Sequence, residues 1–238
     1  MCPPVPFPLP LVVGAVASLV SVSATVPQVV RAFRSRSAEG VSWASLLLSL
    51  ATFTLWCVYA AAVADEVQLV NDALGFGLLV ALAVVVMRAG GAGWWSGGAA
   101  ASLVVVAAAG VSLTVVSLLG PLVLAMLGTV SSSLRMWPQT RLALAGAPLW
   151  GLDPWATVLT WLGMLSWLSY GVLVADHALA LASLAGLLMQ STITAFRLPP
   201  RRTLHSVAGG RLGPRAARIV LPAASRFPVR TGDYDLAA

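Results

Sequence analysis

Residues 24–76 read ATVPQVVRAFRSRSAEGVSWASLLLSLATFTLWCVYAAAVADEVQLVNDALGF, and the reading of the whole chain starts from this stretch. An apolar run carries Pro27-Gln28 near its end, and a short Arg-rich segment with Gly40 follows. A second uncharged run ends in Trp56 and Tyr59. An acidic corner comes next at Asp65-Glu66, and a third run opens with Asn71-Asp72. The plan returns downstream. Pro138-Gln139, Gly151, Trp167, Tyr170, Asp176 and Gly186 lie 111 residues after Pro27-Gln28, Gly40, Trp56, Tyr59, Asp65 and Gly75. The offset never changes, so no gap is needed. A colinear set that includes Pro-Gln, Trp and Tyr marks an internal duplication of a three-helix unit.

Composition sets the solvent. Of 238 residues, 59% are hydrophobic and only 9% charged, against about a quarter charged in a soluble domain. The chain reads as an all-α integral membrane protein. All 14 basic residues are Arg, and together with the high Ala and Val content this points to a GC-rich bacterial genome and the bacterial cytoplasmic membrane. Cys2 and Cys57 are isolated and give neither a disulfide framework nor metal-ligand spacing. The Pro-rich start lacks the basic n-region of a secretory signal. A cut near Ser21–Ala24 would destroy the first unit.

Seven spans are predicted, running over about 9–33, 41–64, 67–87, 99–119, 121–144, 153–174 and 177–196. Each is near the roughly 20 residues that cross the hydrocarbon core. They group as three, one and three. A three-helix unit has an odd number of crossings, so two units joined directly would sit upside down relative to each other. The fourth span has no counterpart in the repeat and acts as an inversion linker. The expected divisions are residues 1–88 for the first repeat, 89–120 for loop and linker helix, 121–197 for the second repeat, and 198–238 for a disordered basic tail.

Charge separates the two sides. Arg31, Arg34, Arg36, Arg88, Arg135, Arg141 and Arg197 fall at one set of ends, whereas Asp65, Glu66, Asp176 and His177 fall at the other. Positive loops stay in the cytoplasm, so the N-terminus is expected outside and the C-terminus inside. Arg135 lies inside the fifth span, and snorkelling to the cytoplasmic interface is its expected course.

The repeat resembles the PQ-loop superfamily and, within it, the SWEET sugar transporters and their half-size SemiSWEET relatives. The residues that carry the resemblance are Pro27-Gln28 with the Arg-rich segment, Leu55-Trp56 with Tyr59, and Asn71 with Gly75. In the second copy they are Met136-Trp137-Pro138-Gln139, Gly151, Trp167 with Tyr170-Gly171, and Gly186. The resemblance implies two parallel three-helix bundles around a central pocket worked by alternating access. It implies a substrate site of Trp56 and Trp167 on the second helices, Asn71 on a third, and Ser21, Ser131 and Ser132 on the first helices. The second repeat departs at the Asn, where Ala182 and Ser183 stand.

Physical chemistry adds to this. A proline within a helix leaves a carbonyl four residues back without its donor, so Pro27-Gln28 and Pro138-Gln139 are candidate hinges. Trp56 and Trp167 stand about nine residues before the acidic corners, roughly 13 Å deep, too deep for an interfacial belt. Asp72, a carboxylate about five residues inside the third span, is a candidate proton site. No catalytic set, metal cluster or phosphate loop is apparent, so no enzyme, cofactor or nucleic-acid partner is expected. The expected function is facilitated passage of a small neutral solute, a mono- or disaccharide. The alternatives are a proton-coupled carrier of an amino acid or similar metabolite, and a non-transporting receptor or scaffold. The expected partners are the solute and the lipid bilayer, and a homo-oligomer is compatible with both.

Overall fold

The computed structural model describes residues 9–35, 43–89, 94–145, 154–197 and 201–226. Long apolar runs with few charges leave the backbone no partner but itself in lipid, and every described element is accordingly a helix. They are α1 (Leu9–Ser35), α2 (Trp43–Ala62), α3 (Glu66–Ala89), α4 (Trp94–Leu119), α5 (Pro121–Leu144), α6 (Pro154–Leu173) and α7 (His177–Arg197). Two short helices follow, α8 (Arg201–Ala208) and α9 (Pro214–Arg226).

Helices α1–α4, α6 and α7 are each long and apolar enough to cross a membrane. Helix α5 has the length, at 24 residues, but is more polar because it carries Ser131–Ser133, Arg135, Gln139 and Arg141. A spanning helix of that composition is tolerated where its polar side faces protein or a watery pathway.

The packing order shows what surrounds α5. Helix α3 lies against both α1 and α2, and α7 lies against both α5 and α6. The two triplets meet through α1 with α6 and α2 with α5. The six helices thus close a ring in the order α1, α3, α2, α5, α7, α6. Exchanging each helix for its duplicate leaves that order unchanged, which is what two parallel repeats related by a pseudo-twofold axis require. Helix α4 stays outside the ring, mainly on α2, with most of its length exposed to lipid. This is the seven-helix, three-one-three plan expected from the sequence.

The corners are duplicated down to the backbone. Ala64 and Ala175, at equivalent positions, hold φ of 56° and 58°. Each closes its helix: the Asp65 N–H donates to Ala60 O at 2.9 Å and the Asp176 N–H to Gly171 O at 2.8 Å. The same two Asp residues open the next helix. Asp65 Oδ1 accepts the Gln68 N–H, and Asp176 Oδ1 accepts the Leu179 N–H, both at 2.9 Å. At the opposite ends α1, α3, α5 and α7 all carry Arg in their last turn, at Arg34, Arg88, Arg141 and Arg197. There the positive charge complements the helix dipoles.

Within the tail expected to be disordered, residues 201–226 instead form α8 and α9, which pack on each other. Both are strongly amphipathic, with Leu204 and Val207 on one and Ile219 and Val220 on the other spaced among Arg residues. Mean composition hid this because Arg and Pro dominate it. Arg135 does not follow the snorkelling course either: its guanidinium lies over the Phe53 ring, 5.6 Å from the centroid. A cation on an aromatic face finds a partner without leaving the bundle.

Candidate functional site

The acidic end of the ring is closed by side chains that cross between repeats. Tyr59 on α2 donates to both carboxylate oxygens of Asp176, at 2.8 Å each. Tyr170 on α6 donates to Asp65 Oδ1 at 2.9 Å. Residue and partner exchange under the offset of 111, so the two contacts are one contact repeated by the pseudo-twofold axis. Helix capping explains why Asp is needed at each corner. The carboxylate is fixed by its own repeat and still accepts from the other. Above this pair lies an open depression lined by Asp65, Glu66, Tyr170, Asp176 and His177.

One helical turn further in, the pattern repeats with different chemistry. Trp56 Nε1 donates to Ser132 Oγ at 3.1 Å, and Trp167 Nε1 donates to Ser21 Oγ at 3.0 Å. Each indole also meets the tyrosine on its own helix edge to face, with centroids 5.5 Å apart in both copies. Room for the indoles comes from small residues at matching positions. Gly128 lies against Trp56, where an added Cβ would sit 3.0 Å from the ring, and Ala17 packs beside Trp167. Ser131 is hydrogen-bonded to Thr52, and Thr52 also bonds Leu48 O in its own helix. Of the residues expected to form the substrate site, Ser21, Trp56, Ser131, Ser132 and Trp167 thus lie together where the two repeats meet. Their polar groups are engaged with one another in this state.

Asn71 and Ser183 are buried on α3 and α7. Asn71 Nδ2 donates to Asp72 Oδ1 at 3.0 Å and Gln68 Nε2 to Asp72 Oδ2 at 3.4 Å, so one donor of each amide is committed to the carboxylate. By the 111-residue offset, Ser183 stands at the register of Asp72, Ala182 at that of Asn71 and Leu179 at that of Gln68. The polar cluster therefore exists in one repeat only. Gly75 lets the Phe53 ring lie directly on α3, and Gly186 gives Met164 the same access to α7.

Pro138 and Gln139 lie inside α5 with exposed side chains, and the helix continues past them to Leu144. Pro27 and Gln28 fall inside α1, with side chains outside the described residues. Gly40 and Gly151 also lie outside them.

The crossing tyrosines and corner aspartates are functional candidates that the sequence offered only as markers of the duplication. The available signal was that they survive in both copies while most lipid-facing positions do not.

Residues 9–69 match the PQ loop repeat family. A search of solved structures finds a eukaryotic SWEET transporter with a TM-score of 0.65 over 79% of this chain and 94% of that one, at 16% identity. Residues 9–69 thus match a PQ-loop repeat, and the chain shares the fold of a SWEET transporter. No curated protein matches it. Sequence identity at that level carries the helix order and the ring, which are the features described above.

Proposed function

We propose that this SWEET-fold protein is a membrane transporter that passes a small solute of no net charge down its gradient, opening alternately at its two ends. One observation carries the reading: at the acidic end the repeats are joined by two reciprocal Tyr–Asp hydrogen bonds, which can break while each carboxylate remains held as a helix cap. Behind them, paired Trp and Ser residues line the seam. The fold it shares with a SWEET transporter supports a mono- or disaccharide as solute. A carrier of an amino acid is the second reading, favoured by the buried Asp72. In this proposal the acidic end faces outward and the Arg-bearing ends face the cytoplasm of a bacterial cell.

Uptake of radiolabelled sugars and amino acids into proteoliposomes carrying a pH dye tests it. Saturable uptake without internal acidification is expected of a facilitator. Acidification on solute entry would make it a proton-coupled carrier. Absence of flux for every solute would leave a receptor or scaffold. Reporter fusions test orientation: one after Ala238 should read cytoplasm and one at Asp65-Glu66 the outside, and the reverse would overturn the assignment of the two ends.

A further inference from the structure

Gln68, Asn71 and Asp72 share one face of α3, at spacings of three and four residues, and each is more than nine-tenths buried. An amide oxygen turned toward an ionised carboxylate would meet like charge, so both amides present nitrogen to Asp72. Their oxygens, Asn71 Oδ1 and Gln68 Oε1, are left buried with no partner. A native structure rarely leaves two buried acceptors beside a carboxylate without a strained, functional or ligand-binding reason. Each needs a donor, and beside an ionised carboxylate a cation that donates and does not accept suits all three acceptors at once. An ammonium group has three N–H donors, and the cluster offers three acceptor groups: the Asp72 carboxylate and the two amide oxygens.

A second charge faces this cluster. Arg135 on α5 lies over Phe53, and Phe53 lies on α3 at Gly75, one turn from Asn71 and Asp72. Asp72 and Arg135 are near enough to attract each other, but no ion pair joins them among the described residues. Asp65 at the corner and Cys57 on α2 also interact electrostatically with Asp72. A guanidinium offers forked donors suited to a carboxylate. Neither charge has a duplicate: Ser183 replaces Asp72 in the second repeat, and Ala24 stands at the register of Arg135 in the first. A feature absent from the shared plan points to specialisation of this chain.

We propose that the Gln68–Asn71–Asp72 cluster binds the ammonium group, and Arg135 the carboxylate group, of a zwitterionic solute of amino-acid type. This rests on the transporter reading and takes the second of its solute classes. A zwitterion has no net charge, so it suits a pathway with one site of each sign.

The test is binding by thermal shift and calorimetry on the full chain in detergent. The probes are the neutral L-amino acids, the 2-hydroxy acid and the amine corresponding to the tightest of them, glucose, and sodium chloride against choline chloride. An amino acid should bind, and each analogue, lacking one charge, should bind at least tenfold more weakly. Asp72→Asn should erase the preference over the hydroxy acid, and Arg135→Gln the preference over the amine. These are ratios within one variant, so reduced stability does not mask them, and the wild-type ratios stand alone if a variant does not fold. Equal binding of amino acid and hydroxy acid would overturn the proposal. So would sodium binding that Asp72→Asn abolishes in the absence of any amino-acid binding. Glucose binding with no amino-acid binding would overturn it and leave the transporter reading standing, whereas absence of flux for every solute in proteoliposomes would remove both.

Discussion

Tyr59 and Asp176 are bonded across the two repeats, the phenol hydroxyl lying 2.8 Å from both carboxylate oxygens. Asp176 is meanwhile the cap of α7, receiving the Leu179 N–H at 2.9 Å. The carboxylate is therefore held in place whether or not the tyrosine reaches it. Tyr170 and Asp65 repeat the arrangement. In the proposed transporter this is a latch: one half is fixed to each repeat, and only the crossing bond need break for the end to open.

Replacing Tyr59 or Tyr170 by Phe removes one crossing bond and leaves the ring in place. A hydrogen bond to a charged group contributes about 1.5–3 kcal/mol, so each single variant should shift the closed-to-open ratio at the acidic end by roughly tenfold or more. Spin labels at the exposed positions Glu66 and His177 report the separation of the two corners. The distribution should broaden toward longer distances in each variant and further in the double variant. An unchanged distribution in the double variant would show that the latch does not hold this end.

The corners themselves carry strain that can be relieved. Ala64 and Ala175 sit at φ 56° and 58°, a region that costs an L-residue about 1–2 kcal/mol and glycine little. Ala64→Gly and Ala175→Gly should each raise the unfolding midpoint in detergent. A lowered midpoint would mean that the methyl groups make contacts worth more than the strain.

Much of this was legible in the sequence. Charge scarcity gave the membrane, the constant offset gave two equal triplets, and oddness of the triplet gave α4 its role as inverter. Trp56 and Ser132, named separately as site residues, prove to be bonded to each other. That partnership was not legible, because it depends on which helix of one repeat meets which helix of the other, and no spacing along the chain encodes it. The latch escaped for the same reason: Tyr59 and Asp176 are 117 residues apart. The course of Arg135 was misjudged because depth alone does not reveal an aromatic partner on a neighbouring helix.

In the proposed transporter, proline is the second candidate moving part. Pro138 lies inside α5, where its missing N–H frees the Leu134 carbonyl. Pro27 does the same for Ser23 within α1. Alanine at either site restores a bond and stiffens the helix. Pro27→Ala and Pro138→Ala should insert and fold as well as wild type while transporting several-fold more slowly, as measured by flux into proteoliposomes normalised to inserted protein. Wild-type rates in the double variant would reduce both prolines to relics of duplication.

The two halves of the pathway should contribute unequally to recognition. Trp56 and Trp167, with Ser132 and Ser21, match across the repeats, so these contacts favour neither half. The third helices differ. Asn71 brings an amide whose oxygen is buried and unpartnered, beside Asp72 and Gln68, whereas α7 offers at the same level Ala182, Leu179 and the single hydroxyl of Ser183. Loss of a group that bonds a buried solute costs on the order of 1–3 kcal/mol, enough for roughly tenfold or more in affinity. Asn71→Ala should therefore weaken solute binding by at least that factor, and Ser183→Ala clearly less. Ala182→Asn adds an amide at the matching register and should be tolerated or raise affinity. Binding of the transported solute to the three purified variants decides the matter. If Asn71→Ala binds as wild type and Ser183→Ala does not, recognition resides in the second repeat, and the unpartnered amide oxygens of α3 require another explanation.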